Sequence, residues 1–222
     1  MRTEYTSRNQ PHFHHIGHTF SITLTAFDAL PPADLHAAKT KRDAALLSTE
    51  ALASVERQRQ RFEIHQQYER EFEYLLHQKQ TQTHPFKETD VAQTLLDHFK
   101  SYHEQLYTLR AACVMSNHIH LLLDLATQVP ADYDWKSELP DYINVDRIVG
   151  RLKGGASFKL NRQQGFKSNW WGDGYYDRYI RNPRHLITAF WYILNNPVKA
   201  GVVKHWADYP FTYADLNWVN VL

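Results

Sequence analysis

The 222-residue sequence lacks the features that mark secreted, disulfide-bonded or membrane-spanning proteins. It contains one cysteine, Cys113, which excludes an internal disulfide framework and is typical of a reducing compartment. It has no run of about 18 consecutive apolar residues, so no transmembrane helix is expected. The polar residues at its start have no apolar segment behind them, unlike a signal peptide. We therefore expect a cytoplasmic protein that does not associate with a membrane.

The sequence also lacks any large excess of charge. Its formal net charge is +1, so global electrostatics do not favour a polyanionic partner, and any nucleic-acid interface must come from local clusters. Hydrophobic residues make up 43% of the chain, which suffices for a buried core. The length corresponds to a single domain, residues 1–222, with embellishments.

The clearest embellishment is the segment 33–79, which follows the first predicted strand. That strand, 19–27, alternates apolar and hydroxyl residues and ends before the prolines at 31 and 32. The segment after it contains no glycine or proline and many charged residues, which predicts a helical insertion. Its charges either form a solvated face or contact a partner.

The remaining pattern alternates helices and strands. Apolar residues at helical spacing predict a helix over 89–105 and another over 145–164. Two apolar segments, 107–115 and 117–125, surround a short Ser-Asn turn and predict a β-hairpin. A fourth strand is predicted over 169–181. Asn182 and Pro183 then predict the start of a last helix, which Pro197 limits.

Two histidines stand at the start of the second hairpin strand. Because side chains alternate along a strand, His118 and His120 project to the same side, while Ile119 and Leu121 point to the other. Two imidazoles about 7 Å apart on a rigid strand can converge on one divalent ion. The alternative is a pair of half-buried core histidines, and the motif alone does not decide between them.

A local basic cluster follows in the predicted helix 145–164 and the loop after it. It contains no acid between 147 and 172, and its members are Arg147, Arg151, Lys153, Lys159, Arg162 and Lys167. Trp170, Trp171, Tyr175 and Tyr176 follow it closely. Basic groups neutralise phosphates and aromatic faces stack on unpaired bases, so this region is a candidate nucleic-acid surface. A solvated basic helix beside a Trp-rich core strand explains the same residues.

The last helix carries polar residues on one side. Tyr192 and Asn196 are four residues apart and therefore lie on the same face. By itself, Tyr192 is equally well a core aromatic residue whose hydroxyl is hydrogen-bonded.

These blocks together resemble one protein family. The run Val-Met-Ser-Asn-His-Ile-His-Leu-Leu-Leu (114–123) is similar to the Met-Pro-Asn-His-hydrophobe-His pattern of the HUH single-tyrosine transposases. Lys-Gly-Gly at 153–155, the run 175–181 that includes Arg178 and Arg181, and the run 192–203 resemble later blocks of one branch, the REP-associated tyrosine transposases. The resemblance covers nearly the whole chain. Ser116 stands where the pattern has proline, which loosens the turn but removes no reacting group.

The resemblance implies an α+β fold of the ferredoxin-like type, with an antiparallel sheet and helices on one face. It implies cleavage of single-stranded DNA at or near hairpins, through a 5′-phosphotyrosine intermediate at Tyr192. His118, His120 and Asn196 would hold Mg²⁺ or Mn²⁺. Arg178 and Arg181 join the basic cluster as expected DNA-binding residues. The protein would act as a monomer or homodimer.

Three alternatives stay open at this point. A non-catalytic nucleic-acid-binding protein on the same scaffold would bind hairpins without cutting them. A hydrolytic metalloenzyme would use water as the nucleophile. Tyr175 and Tyr176 are rival nucleophiles, although their strand offers no polar partner one turn further on.

Overall fold

The computed structural model describes residues 3–7, 11–77, 84–134 and 137–219. The strands and helices of this part, in chain order, are β1 Thr3–Ser7, β2 Pro11–His15, β3 Thr19–Thr25, α1 Pro32–Ser48, α2 Ser54–His77, α3 Thr89–Lys100, β4 Thr108–Val114, β5 His118–Asp124, α4 Val145–Gln164, β6 Tyr176–Tyr179, α5 Pro183–Leu194, α6 Asn196–Lys199, β7 Thr212–Ala214 and α7 Leu216–Val219. Among the described residues, no helix has both the length and the apolar character needed to cross a bilayer.

The central feature is a five-stranded sheet with the order β6-β3-β5-β4-β7, in which every neighbouring pair is antiparallel. The connection β3-α3-β4-β5-α4-β6 together with this order is the ferredoxin-like arrangement. The predicted α+β class is therefore confirmed. β7 extends the sheet beyond β4.

Some strands differ from the predicted ones. The predicted strand 169–181 is reduced to the four residues of β6, because the chain before it makes only an isolated bridge between Trp171 and Ala26. The hairpin of β1 and β2 was not predicted, because its two strands pair only with each other and their sequence shows no alternation of apolar residues. β7 has only three residues, too few for a periodic signal.

One side of the sheet, the apolar face, is hydrophobic across its three central strands β3, β5 and β4, while the edge strand β6 places Asp177 opposite Ile22. Strand register places on it Phe20, Ile22, Leu24, Leu109, Ala112, Val114, Ile119, Leu121 and Leu123. All nine side chains are fully buried. Trp171, opposite Ala26 on this side, donates from Nε1 to the Lys153 carbonyl of α4 at 3.0 Å. Helix α4 therefore covers this face, and α3 packs against α4.

The other side, the histidine face, mixes polar and apolar residues. Strand register places on it Thr23, Ala111, Cys113, His118, His120 and Leu122. Helix α5 packs here, with Phe190 and Ile193 in one buried cluster with Cys113 and Leu122. The expectation of helices on one face thus holds for α3 and α4, whereas α5 lies on the opposite face. This arrangement brings side chains of α5 to the histidines.

Residues 28–84 form a compact unit of their own. It contains α1 and α2, which pack together through buried Ala38, Phe72 and Leu76. The Arg42 guanidinium lies 4.7 Å from the centre of the Tyr68 ring, which joins the two helices. The helices fall within the predicted segment 33–79 except at its edges, where α1 begins at Pro32. The organisation of residues 1–222 as a single functional domain stays a prediction.

Candidate active site

The turn between β4 and β5 fixes where the first histidine points. The Met115 amide donates to the His118 carbonyl at 2.8 Å, which closes a two-residue turn over Ser116 and Asn117. The Ala26 amide donates to the Asn117 carbonyl at 2.8 Å, and the Phe86 amide donates to the Ser116 carbonyl at 3.0 Å. These backbone bonds hold the turn in place although it lacks the proline of the family pattern.

The side chains of the two histidines lie next to each other on the histidine face and are buried. Their ring centres are 4.8 Å apart with the planes at 79°, and each residue is 1% exposed. His120 Nδ1 is 3.0 Å from Thr23 Oγ1 on the neighbouring strand β3. When the His120 Nδ1–H donates to this hydroxyl, Nε2 carries the lone pair that a metal ion needs.

The amides around His118 create an unusual arrangement of acceptors. Its Nδ1 is 2.8 Å from Asn117 Oδ1, and its Nε2 is 3.4 Å from Asn196 Oδ1. A neutral imidazole has one N–H, so it can donate to only one of these two oxygens. The nitrogen that remains then faces an oxygen with its lone pair. Protonation of His118, rotation of an amide, or a cation between the two acceptors resolves this conflict.

Asn196 is fully buried at the start of α6. Among the described residues, its Nδ2 has no hydrogen-bond partner although water cannot reach it. A buried amide in this state costs free energy, and such exceptions in a core deserve a functional explanation. The position of its oxygen beside His118 provides one.

These residues fit a divalent cation. Two neutral imidazoles and one amide oxygen supply three uncharged ligand atoms; imidazole binds divalent transition metals, and a carbonyl oxygen suits Mg²⁺ and Mn²⁺. The facing acceptors of His118 and Asn196 are the arrangement that a cation relieves. The identity of the ion, Mg²⁺ or Mn²⁺, stays an expectation.

Tyr192 reaches this pair from helix α5. Asn182 caps the helix by accepting from the His185 amide at 2.8 Å, and Pro183 occupies its first turn, as predicted. Two turns later, the Tyr192 ring stands edge-on to the His120 ring at 5.7 Å between centres. Tyr192 is half-buried, so part of its side chain faces solvent. His120 and Tyr192 of the same polypeptide chain are therefore in contact.

The rival residues are placed differently. Tyr175 is buried and its hydroxyl donates to Asp146 at 2.7 Å; burial, followed by the nearby Asp177 and Asp146, raises its pKa well above the ordinary value. This makes Tyr175 a poor nucleophile. Tyr176 lies on the histidine face, but strand β3 separates it from His120, which places the two roughly 10 Å apart. Tyr192 is closer.

Cys113 lies opposite His120 on β4. Burial raises the pKa of its thiol to about 12, in spite of a contact with the Thr212 hydroxyl. It is therefore a core residue rather than a nucleophile.

The predicted DNA-binding residues divide into three groups. Those of α4 and the loop after it are exposed and lie on the helix that covers the apolar face, away from the histidines: Arg147, Arg151, Lys159, Arg162 and Lys167. Arg178 and Arg181 are exposed near the start of α5, where, after burial, they lower the pKa of His185. Only this second group lies on the side of Tyr192. A direct role of any of them in binding DNA stays a prediction.

Lys153 forms the third group and is the exception in the basic cluster. Its ammonium donates to the Gly172 carbonyl at 2.7 Å and the Gly174 carbonyl at 2.9 Å. Its stem is half-buried, and burial lowers its pKa. This lysine closes the loop between α4 and β6, so its position in the structure favours a structural role.

Three residues around the site were not predicted. Thr23 was assigned to a half-buried strand, but its pairing with β5 becomes visible only once the strand order is known. Asn117 was included only in the turn. Lys199, whose ammonium lies 3.9 Å from the centre of the Tyr192 ring, follows Tyr192 by seven residues. A helical spacing search from Tyr192 would have found it.

The fold and site define a class of protein: a ferredoxin-like sheet whose His-x-His strand faces a tyrosine on a helix. Comparisons with known proteins agree. A protein of Haemophilus influenzae named as a REP-associated tyrosine transposase is 30% identical over 102 residues, which are 46% of this chain and 56% of that protein. The aligned part thus spans just over half the length of that relative. No protein-family model matches the chain.

A solved structure of a REP-associated tyrosine transposase bound to a REP hairpin shares the fold. Its TM-score is 0.50 at 17% identity, and the match covers 93% of this chain and 82% of that one. At this identity the likeness bears on the fold alone. The resemblance to REP-associated tyrosine transposases that the motifs indicated is confirmed by the Haemophilus influenzae relative, and the solved structure agrees in fold.

Proposed function

We propose that this chain is a metal-dependent endonuclease and strand transferase that acts on single-stranded DNA at or near hairpins. The observation that carries the proposal is the meeting of His120 and Tyr192, with ring centres 5.7 Å apart, beside His118 and Asn196. The relative and the solved structure named above, one of them bound to a hairpin, support DNA as the substrate.

Tyr192 is the nucleophile in this proposal. A phenol with an ordinary pKa near 10 attacks a phosphodiester slowly unless the reaction is assisted. His118, His120 and Asn196 would hold Mg²⁺ or Mn²⁺, which polarises the phosphate oxygens and stabilises charge in the transition state. Thr23 and Asn117 orient the two imidazoles through Nδ1.

The chemistry conserves the energy of the phosphodiester. The Tyr192 oxygen forms a bond to phosphorus, the bond from phosphorus to the 3′ oxygen breaks, and a proton replaces phosphorus on that oxygen. The products are a 5′-phosphotyrosine and a free 3′-hydroxyl. Attack by a 3′-hydroxyl on the phosphotyrosine reverses the step, so rejoining needs no ATP.

The test uses a hairpin oligonucleotide with single-stranded flanks, drawn from a hairpin library and incubated with Mn²⁺. A 3′-terminal label should move to the protein as a covalent adduct. A 5′-terminal label should appear in a shorter free strand that a polymerase can extend, because it ends in a 3′-hydroxyl. Tyr192→Phe should abolish both signals, whereas the matched variant Tyr176→Phe, on the same face of the sheet, should retain them.

The other outcomes identify the alternatives. Binding of hairpins by a folded wild-type protein without any adduct would indicate a non-catalytic nucleic-acid-binding protein. Cleavage that survives in Tyr192→Phe without an adduct would indicate hydrolysis by water. If the adduct is lost in Tyr176→Phe and kept in Tyr192→Phe, the nucleophile is Tyr176 on β6.

A further inference from the structure

A lysine contacts the tyrosine of the site. Tyr192, Asn196 and Lys199 are spaced by four and three residues, so they lie along one helical face. The backbone makes this possible although α5 ends at Leu194, because helical hydrogen bonding continues from α5 into α6. The Asn195 amide donates to the Trp191 carbonyl at 3.0 Å and the Lys199 amide to the Asn195 carbonyl at 2.9 Å.

The contact is close and directed at the ring face. Lys199 Nζ lies 3.9 Å from the centre of the Tyr192 ring. The negative face of an aromatic ring attracts a cation at this distance. The His120 ring approaches the same ring at 81° between planes. Tyr192 is therefore held by a histidine on one side and by an ammonium on another.

We propose that Lys199 is a positioning residue for Tyr192 and that its ammonium stabilises the negative charge that passes between the phenol oxygen and the phosphate. This proposal rests on the proposed function. During cleavage, the oxygen of Tyr192 approaches a phosphodiester that already bears a charge. During rejoining, the same oxygen departs with a developing negative charge as its bond to phosphorus breaks. A fixed cation beside the ring favours both directions, since they share one transition state.

The position of Lys199 distinguishes it from the basic residues of α4. Lys153 is held by two carbonyls on the side of the sheet that α4 covers, and the exposed basic residues of α4 lie on that side too. Lys204 follows α6 at the surface and provides a matched control. Lys199 is thus predicted to affect the reaction step rather than the capture of DNA.

The experiment measures two quantities for the full chain: the dissociation constant for a hairpin and the single-turnover rate of adduct formation with Mn²⁺ at saturating protein. The variants are Lys199→Met, which keeps the length without the charge, Lys199→Arg, which keeps the charge, and Lys204→Met. Rejoining is measured by adding a strand with a 3′-hydroxyl to a purified adduct.

We expect Lys199→Met to slow adduct formation and rejoining by about 2- to 5-fold, the value of a cation–π contact at an exposed site, because Lys199 is exposed. The dissociation constant for the hairpin should stay that of the wild type. Lys199→Arg should restore most of the rate, and Lys204→Met should match the wild type. Thermal unfolding of each variant checks that it is folded under the conditions of the assay.

Three results overturn the proposal, and the first two leave the proposed function intact. If Lys199→Met forms adducts as fast as the wild type, Lys199 has no role in the reaction, and the proposed function stands. Lys199→Met that changes only the dissociation constant makes the lysine a DNA-binding residue instead. Wild-type protein that forms no adduct removes the proposed function, and the role of Lys199 with it.

Discussion

The two faces of the central sheet are built from the same strands but differ in chemistry. The apolar face is covered by α4, and its three central strands contribute only hydrophobic side chains, all fully buried. The histidine face, against which α5 packs, places His118, His120 and Thr23 next to a hydrophobic cluster around Leu122 and Phe190. Neighbouring residues of β5 therefore serve different purposes.

This difference teaches where the stability of the domain and its chemistry reside. Burial of apolar surface supplies the stability of a sheet, and the central strands of the apolar face place no polar side chain there that would cost free energy. The histidine face buries imidazoles and an amide, which are tolerated because they are hydrogen-bonded or positioned for a ligand. Substitutions one residue apart along β5 should separate the two roles.

The largest effect is expected from His118→Ala. It removes a proposed ligand, so metal-dependent adduct formation should fall by at least about 100-fold while hairpin binding is largely retained. Adduct formation and anisotropy of a labelled hairpin measure the two. Ile119→Val, one residue along the strand on the apolar face, is the matched control and should cleave normally. A His118→Ala protein that cleaves normally would refute the metal site.

Leu121→Ala tests the apolar face. It should lower the free energy of unfolding by about 2 to 5 kcal/mol, since it leaves a cavity in a fully buried position. Urea unfolding measures this loss. The rate of adduct formation per folded molecule should stay near that of the wild type. A loss below about 1 kcal/mol would show that this face is less tightly packed than its burial indicates.

Thr23→Val tests the support of His120. The change keeps the shape but removes the hydroxyl 3.0 Å from Nδ1, so the imidazole loses the group that fixes its tautomer. Metal affinity or metal-dependent rate should fall by about 10- to 100-fold. Titration of adduct formation with Mn²⁺ separates the two. Thr19→Val, on the same strand and face but four residues away, should have little effect, and equal effects of both would indicate a general loss of packing.

The smallest effect is expected from His98, which belongs to α3 and faces α4. Its Nε2 is bonded to the Leu152 carbonyl at 3.0 Å, and its pKa is lowered, first by burial and then by Lys159. A lowered pKa means that the unfolded chain binds the proton more readily. Stability is therefore fully present above the ordinary pKa of 6.5 and is lost as pH falls below it.

Urea unfolding at pH 7.5 and 5.5 measures this dependence. The wild type should lose more unfolding free energy between the two values than His98→Asn does, because the other histidines are common to both proteins. Parallel losses in the two proteins would mean that His98 is protonated as easily in the folded state as in the unfolded state.

Much of the fold was accessible from local patterns. The helix α4 was predicted with the bounds that the structure shows, and the start of α5 was predicted from Asn182 and Pro183. These elements depend on periodicity and capping, which are properties of neighbouring residues. The hairpin of β1 and β2 and the three-residue β7 could not be predicted, since their pairing partners are set by tertiary contacts.

The candidate site was predicted only in part for the same reason. His118, His120, Tyr192 and Asn196 were identified from motifs, and the structure brings them together. The basic cluster was treated as one surface, yet Lys153 is held by carbonyls and most of the others lie with α4. Charge along a sequence does not reveal which side of a sheet a helix will cover.

By itself, the sequence determined that His118 and His120 share one side of a strand and that Tyr192 and Asn196 share one side of a helix. Both follow from the repeat of a single element. Only the tertiary structure decided that these two sides face each other, that Thr23 supports one imidazole and that Lys199 returns to the tyrosine ring. Such contacts join residues as many as 97 positions apart, and packing of the whole sheet fixes them.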